Sequence, residues 1–394
     1  MKMFRQIRAV TAMNFRSLPQ RVSTSLVVVI GIAGVVAVLV SVLAMSTGLI
    51  RTMENTGRDD RAIVMRNGSI AETSSALDRN SARLIVDAEG VKHDAQGDPI
   101  LSAETMRIFS LHRKADDAEV NVILRGVGPK LLELRPELKI IEGRMFQPAV
   151  TEVIVGKSAH AQYKGLNVGD TVTSRGANWT VVGVFDTGGD SHESSLMTDA
   201  ETLISIDQRG AFQSITAQLE SRSSFQSFKD SLVSNPGLSV DVVREREYYQ
   251  QQSKTMSTVI KVIAYVVGGI MAVGAVFAAL NTMYSAVSAR LQEIATLRAL
   301  GFGSTAMVMS VLAEALVLAL IGGVIGAVIA WLFFNGNTVS TSGGGMGQMV
   351  FELSVSPQLM ILGIVWACFI GVLGGLFPAM RAARLPVALA LRAV

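Results

Sequence analysis

Residues 289–326 read ARLQEIATLRALGFGSTAMVMSVLAEALVLALIGGVIG, and the stretch has two halves of opposite character. In the first half Leu291, Ile294, Leu297 and Leu300 recur at helical spacing, and Glu293 stands three residues after Arg290, where the two can meet on one helical face. Gly301 and Gly303 end that helix. The second half is long and apolar enough to cross a bilayer, with Glu314 as its one charge. A short amphipathic helix held beside such a span suits docking into the groove of a soluble partner. The alternative is a tight helical hairpin with a solvated surface.

Working outward, the same apolar character returns in three other places. Residues 23–50, 257–284, 307–334 and 358–377 each approach or exceed the ~20 residues that span a ~30 Å hydrocarbon core. The chain has 394 residues, is 49% hydrophobic and has a single cysteine, Cys368, which excludes an intrachain disulfide. The first run has too long an apolar core and too extended a basic lead for a cleaved signal peptide, so it reads as a retained anchor. Outside residues 52–255 the only acids are Glu293, Glu314 and Glu352. The basic excess flanks the apolar runs, a membrane pattern and not a nucleic-acid surface. Lys2, Arg5, Arg8, Arg16 and Arg21 precede the first run, Arg290 and Arg298 lie in the 285–306 loop, and Arg381, Arg384 and Arg392 lie in the tail. Residues 335–357 hold no Lys or Arg. The positive-inside rule then places both termini and the 285–306 loop in the cytoplasm, and 51–256 and 335–357 outside, the latter as a short loop.

Residues 1–22 pattern as an amphipathic helix lying in the inner headgroup plane. Residues 51–256 are large enough for their own core, and strand-like pieces such as RAIVMRN, NVILRGV and WTVVGVF alternate with helical ones such as SALDRNSARLIVDAE. The expected fold is therefore a membrane protein with four transmembrane helices and a large extracytoplasmic α+β domain between helices 1 and 2. The flanks SVLAMSTGLIRTMENTG and VREREYYQQQSKTMSTVIKVI carry no break between span and domain, which predicts a helical stalk. Gly268, Ala272, Ala275 and Ala279 form a ribbon of small residues in the second span, fit for close helix contact with span one or with another copy. The apolar run of the fourth span breaks at Phe377-Pro378, and residues 378–394, PAMRAARLPVALALRAV, predict a short cationic helix.

Three stretches invite a chemical reading. VIVGKSA ends in Gly156-Lys157-Ser158, like a phosphate-binding loop, but Thr151 stands where that pattern needs glycine. DTGGDSHESS groups Asp190, His192 and Glu193, a combination for metal or hydrolytic chemistry, though such a run more often makes a solvated loop. His93, His112 and His160 show no ligand spacing. Glu314, an intramembrane carboxylate, either handles a proton or substrate or pairs with an arginine of the 285–306 loop, and pairing is favoured. No metal or cofactor site is expected in this chain.

Residues 289–326 resemble the hallmark segment of the FtsX-like and MacB-like ABC transporter permeases, in which an Arg-x-x-Glu-Ile pair and an Arg-Ala-x-Gly turn precede a span with an early glutamate and a glycine pair. GGLFPAMRAARLPVALALR resembles the family's second hallmark, and NFRSLPQRVSTSLVVVIGIAGVVAVL its first span. RGVGPKLLELRPELKIIEGRMF resembles part of its extracytoplasmic core domain. The resemblance implies a non-catalytic permease subunit of the mechanotransmission type in a bacterial inner membrane, working as a dimer with a second or related permease copy. Some members carry a fused N-terminal ATPase. This chain begins almost directly at its first span, so an ATPase subunit binding ATP and Mg would be supplied in trans. Arg290, Glu293, Ile294, Arg298 and Gly301 would then couple to the ATPase, and Pro378, Arg381 and Arg384 would contact it, anionic lipid, or both. A periplasmic adaptor or carrier is a further implied partner. The function implied is export or extraction of a lipid, lipoprotein, antibiotic or peptide; the alternative is a regulator that activates a cell-wall hydrolase and transports nothing.

Overall fold

The computed structural model describes residues 2–17, 22–174, 176–207, 210–343 and 347–384. They fall into two compact units, one built from the segments up to Thr47, Thr258–Asn337 and from Leu353 on, the other from Gly48–Ser257 and Thr338–Glu352.

The first unit is helical. Four helices are long and apolar enough to cross a membrane: α2 (Val22–Thr56), α8 (Glu245–Ala289), α10 (Ser304–Phe334) and α11 (Pro357–Arg384). Two shorter helices accompany them, α1 (Lys2–Ser17) and α9 (Leu291–Ala299). In an apolar medium a helix satisfies its own backbone, and packing between helices then depends on close approach. Small residues provide that approach. A Cβ added at Gly323 of α10 would stand 2.7 Å from the Ala367 Cβ of α11, and one at Gly375 would stand 2.7 Å from that of Ala315. Gly326 approaches α2, where an added Cβ would lie 2.9 Å from Val36. Ile32, Val36, Val40, Ala319, Ala327, Ala367 and Ile370 fill the centre of this bundle.

One boundary differs from the sequence expectation. The fourth span does not break at Pro378, because α11 runs through it to Arg384. Proline removes one i→i−4 hydrogen bond and crowds the carbonyl four residues back. That residue here is Gly374, and Pro378, Ala379 and Ala382 are buried in the bundle, so packing holds the turn helical. Residues 385–394, with Arg392, lie outside the described residues, as do 18–21, with Arg21.

The second unit is an α+β domain. Its strands are β1 (Arg61–Arg66), β2 (Leu101–His112), β3 (Glu119–Val127), β4 (Lys139–Gly143), β5 (Glu152–Gly156), β6 (Thr171–Ser174), β7 (Ala177–Asp186), β8 (Leu196–Asp199), β9 (Ser214–Gln218) and β10 (Val240–Arg244). They form one sheet in the order β10-β1-β9-β2-β3-β8-β5-β7-β4, with β6 on β7. Helices α3 (Arg79–Val86), α4 (Leu131–Leu134), α5 (Lys157–Gln162), α6 (Ala200–Asp207) and α7 (Phe225–Val233) connect them. Strand alternation divides the buried residues by face. Ala62, Val64, Ile215, Ala217 and Val242 pack with Ile85 of α3 and Phe228 and Leu232 of α7. Further along, Phe109, Leu124, Val153, Trp179 and Leu196 form a second core, with Ala159 of α5 and Leu203 of α6.

The Gly/Ser-rich stretch 335–357, expected as a plain loop, carries a β-hairpin. Strands β11 (Thr338–Gly343) and β12 (Gly347–Glu352) pair antiparallel. Val350 is buried in the second core of the α+β unit, and Ser194 holds its backbone at both ends, with Val350 N–H donating to Oγ at 2.9 Å and Oγ donating to the Val350 carbonyl at 3.1 Å. A buried backbone group needs such a partner, so the hairpin is a built part of the unit.

Candidate coupling site and the polar face beneath helix α8

At the junction of α8 and α9 the chain bends at Arg290, whose non-helical backbone (φ −111°, ψ 14°) caps α9. Its guanidinium turns to Glu314 in α10, with Nη1–Oε2 at 3.2 Å and Nη2–Oε1 at 3.5 Å, and both side chains are buried. The Arg290–Glu293 pairing drawn from i+3 spacing is therefore not the one made. A carboxylate inside the apolar helix has the larger need for a counter-charge. Glu293 is left exposed on α9, while Ile294 packs inward with Val10 of α1, Val287 and Met307. The end of α9 is fixed by a Schellman motif: Phe302 N–H donates to the Leu297 carbonyl and Gly301 N–H to that of Arg298. Gly301 has φ +92°, a left-handed conformation that favours glycine. Arg298 is partly buried in the last turn.

The small-residue ribbon of α8 is used inside the chain. Gly268 faces Leu39 of α2, where an added Cβ would be 3.0 Å from Cδ1, and Ala279 meets Gly374 of α11 at 2.5 Å by the same construction. Ala272 and Ala275 are buried in the same core. In the tail, Pro378 is buried, the Arg381 guanidinium lies 5.5 Å from the Tyr284 ring centroid, a cation–π contact, and Arg384 is exposed.

Sequence reasoning missed the most heavily charged part of the molecule. Register sets Ser102 opposite Thr216, Glu104 opposite Ser214, and Met106 opposite Arg125. One sheet face is thus polar, and it is buried. Arg125 forks onto Glu72 with both distances 3.1 Å and also reaches Glu104. Ser214 Oγ donates to Glu72 at 2.6 Å. Glu245, the first residue of α8, accepts from Arg135 Nη1 at 2.7 Å, from Arg61 Nη1 at 3.4 Å and from Arg58 N–H at 3.2 Å. Arg61 in turn forks onto Glu137 at 2.7 and 2.9 Å. Burial alone would raise the Glu72 carboxyl, yet the Arg125 charge holds it below the usual carboxylate range. Burial works against the Arg125 and Arg135 charges too, and their facing glutamates still raise both above the ordinary arginine value. The side chains that α8 buries on this unit are Glu245, Tyr248, Tyr249, Ser253 and Ser257, all of them polar or aromatic. The partners are scattered over 187 positions of sequence, from Arg58 to Glu245, and only the strand register gathers them.

The two glycine-rich motifs also meet. DTGGDSHESS is not a solvated loop: Asp190 through Ser195 are largely buried, with residues Ser191–Ser194 in a 3-10 turn. Asp190 caps the turn by accepting His192 N–H at 2.9 Å and holds His192 Nδ1 at 3.0 Å. Glu193 Oε1 accepts from Thr187 N–H at 2.9 Å and Gly189 N–H at 2.7 Å, and Ser158 Oγ donates to its Oε2 at 3.1 Å. Gly156 is needed because an added Cβ would lie 2.6 Å from the Glu193 Cα. Gly156-Lys157-Ser158 thus seats the turn, and Lys157 pairs with Asp186 at 2.9 Å.

A helical bundle with a bent amphipathic linker, joined through unbroken helices to an inserted α+β domain, defines a membrane-embedded permease class. Residues 23–234 match the MacB-like periplasmic core domain, and residues 265–387 match the FtsX-like permease C-terminal domain. The chain belongs to this MacB/FtsX family of ABC transporter permeases. It is similar to an uncharacterised ABC transporter permease of Methanocaldococcus jannaschii, 30% identical over 139 residues, covering 34% of each chain. It is also similar to the macrolide export ATP-binding/permease protein MacB of Bdellovibrio bacteriovorus, 22% identical over 399 residues, which cover 92% of this chain and 58% of that protein. The chain therefore spans less than two thirds of the length of these relatives. Among solved structures, the periplasmic region of MacB from Actinobacillus actinomycetemcomitans is 16% identical with a TM-score of 0.37, covering 54% of this chain and 97% of that one. The matched domains are permease domains, and a permease of this family implies an ATPase partner.

Proposed function

We propose that the chain is a permease subunit that couples ATP hydrolysis on a separate ATPase to movements of its α+β domain, for export or extraction of a lipid, lipoprotein, antibiotic or peptide. The observation that carries the reading is that the unbroken helix α8 leads, across the single residue Arg290, into α9. One helix runs from Glu245, locked onto Arg61 and Arg135, to Ala289, and the next bends at a buried ion pair and presents exposed Glu293. In this reading a helix of 45 residues carries displacement along its axis. In this reading α9, with Arg290, Glu293, Ile294, Arg298 and Gly301, faces the ATPase in the cytoplasm. The end of α11 around Arg381 and Arg384 contacts that ATPase, anionic lipid, or both. ATP and Mg belong to the ATPase, a second permease copy or a related permease completes the complex, and an adaptor or carrier meets the α+β domain outside the inner membrane.

The test is Glu293→Lys in the full chain, co-expressed with its ATPase. Glu293 is exposed, where a single charge contributes only about 0–1 kcal/mol to stability, so expression and insertion stay normal. A reversed charge facing a partner costs several kcal/mol at the interface, so ATPase recovery on affinity purification falls, or hydrolysis stops responding to substrate. Arg384→Glu shows a milder loss. Gln147→Lys, at an exposed position of the α+β unit, leaves recovery unchanged. Full association and full coupled activity in Glu293→Lys would leave α9 as a plain hairpin turn.

A further inference from the structure

Three stretches of chain that lead out of the α+β unit touch one short turn. The last residue of α2, Thr56, accepts the Ser191 N–H at its Oγ1 at 2.9 Å. Tyr249, in the second turn of α8, brings its hydroxyl to 3.5 Å from His192 Nε2, with the two rings edge to face and centroids 6.0 Å apart. Ser194 holds Val350 of the β11–β12 hairpin by two hydrogen bonds, at 2.9 and 3.1 Å. Thr56, His192, Ser194 and Tyr249 are all buried. The turn itself has little freedom. Asp190 caps it, Glu193 ties it to Thr187, Gly189 and Ser158, and Gly156 N–H donates to the Ser195 carbonyl at 3.0 Å. The residues thus divide the work: Asp190 and Glu193 fix the turn to Thr187, just past β7, and to Ser158 of α5, and Ser191, His192 and Ser194 each hold one outgoing stretch.

We propose that the Ser191–Ser194 turn is a mechanical hub, with Ser191, His192 and Ser194 as positioning residues that keep α2, α8 and the β11–β12 hairpin in register with one another. Hydrogen bonds fix direction as well as distance, and a buried donor or acceptor left unmade is costly, so a shift of one stretch is passed through the turn to the other two. The hub deepens the reading that membrane helices drive the α+β domain. Its test needs neither ATPase nor substrate, so its failure is distinct from failure of that reading.

The experiment is hydrogen exchange on the full chain in lipid nanodiscs. Ser194→Ala removes only the hydroxyl that holds the hairpin. The hub predicts loss of protection, about threefold or more, at residues 349–351 and also at residues 52–56 of α2 and 246–250 of α8, which Ser194 does not touch. Strands β5 and β7 keep their protection. Ser194→Thr, which retains the hydroxyl, restores the three regions together. Thr56→Val shows the reciprocal effect at the hairpin, and the Thr56→Val/Ser194→Ala double variant departs from the product of the single effects. Should Ser194→Ala unfold the whole unit, Tyr249→Phe, which removes one hydroxyl from the edge of the turn, must show the same cross-effects. Changes confined to the mutated contact, with doubles that simply multiply, overturn the proposal.

Discussion

Glu314 and Arg290 carry opposite charges into the same buried space, 24 positions apart in sequence. Removing one partner of a buried pair strands the other, so Glu314→Leu is expected to destabilise the helical unit by about 3–5 kcal/mol. Arg290→Met/Glu314→Leu, which removes both charges, recovers most of that loss, as thermal unfolding in detergent would show. The buried and half-buried carboxylates of the α+β unit make a second residue-scale prediction. Burial would raise Glu72, Glu137 and Asp190, yet Arg125, Arg61 and His192 respectively hold each of them below its ordinary value. The Lys157 hydrogen bond likewise brings Asp186 down to about 2. Depressed carboxyls bind protons more weakly folded than unfolded. Their stabilisation is present above the ordinary carboxylate range of about pH 4 and is lost as pH falls through the lowered values. Fluorescence of buried Trp179, in a Trp331→Phe/Trp366→Phe background, should report a melting temperature that is flat from neutral pH to about 5 and then falls. A midpoint that stays constant into acid would contradict these pairings. Glu314's need for a cation was legible in the sequence, because an apolar run makes a lone carboxylate costly. Which arginine answers it was not, since helical spacing offered Glu293 to Arg290. The polar sheet face was hidden altogether: its acids and bases read one at a time as ordinary surface residues of a large insert.

Helices and strands differed in how much of themselves the sequence disclosed. The four long helices show as apolar runs, and the end of α9 shows as Gly301, because both depend on local chemistry. Pro378 misled because its fate depends on what packs around it, and β11–β12 was missed because few apolar residues stand among many Gly, Ser and Thr. The hairpin's contribution is measurable. Residues 48–257 produced with a linked 338–352 segment are expected to be more stable than without it by about 2–3 kcal/mol, the burial of roughly one Val350-sized side chain. Equal denaturant midpoints would make the hairpin a passenger. The packing of α11 on α10 gives a converse case, in which space is the limiting quantity. A side chain at Gly375 meets Ala315 on the neighbouring helix, so Gly375→Leu is expected to cost about 1–3 kcal/mol by overpacking, read as a lower melting temperature of the full chain in detergent.

At the scale of the whole molecule the question is which face of the membrane each unit meets, and charge decides it. Lys and Arg flank the helices at the N-terminal segment, at the α8–α10 connection and at the end of α11, while residues 335–357 have none. Positive flanks are retained on the cytoplasmic side, so these three places are expected inside and the α+β unit outside. The four candidate spans among the described residues agree with that assignment, since an even number puts the segment before α2 and the end of α11 on one side. The measurement is cysteine labelling with a membrane-impermeant maleimide on spheroplasts, after Cys368→Ser removes the native thiol. Gln147→Cys and Thr338→Cys, both at exposed positions, should label in intact spheroplasts. Leu300→Cys, at the end of α9 and 72% exposed, should label only after lysis. The outcomes separate cleanly. Labelling of 147, 338 and 300 alike before lysis would mean that neither α8 nor α10 crosses the bilayer. Labelling of 300 alone would invert the protein and put α9 out of reach of any ATP-driven partner, so the coupling role of Glu293 would fall with it. Labelling of 147 and 338 alone leaves α9 on the side where ATP is, the one arrangement in which the bend at Arg290, the exposed carboxylate of Glu293 and the continuous helix α8 work as parts of one lever.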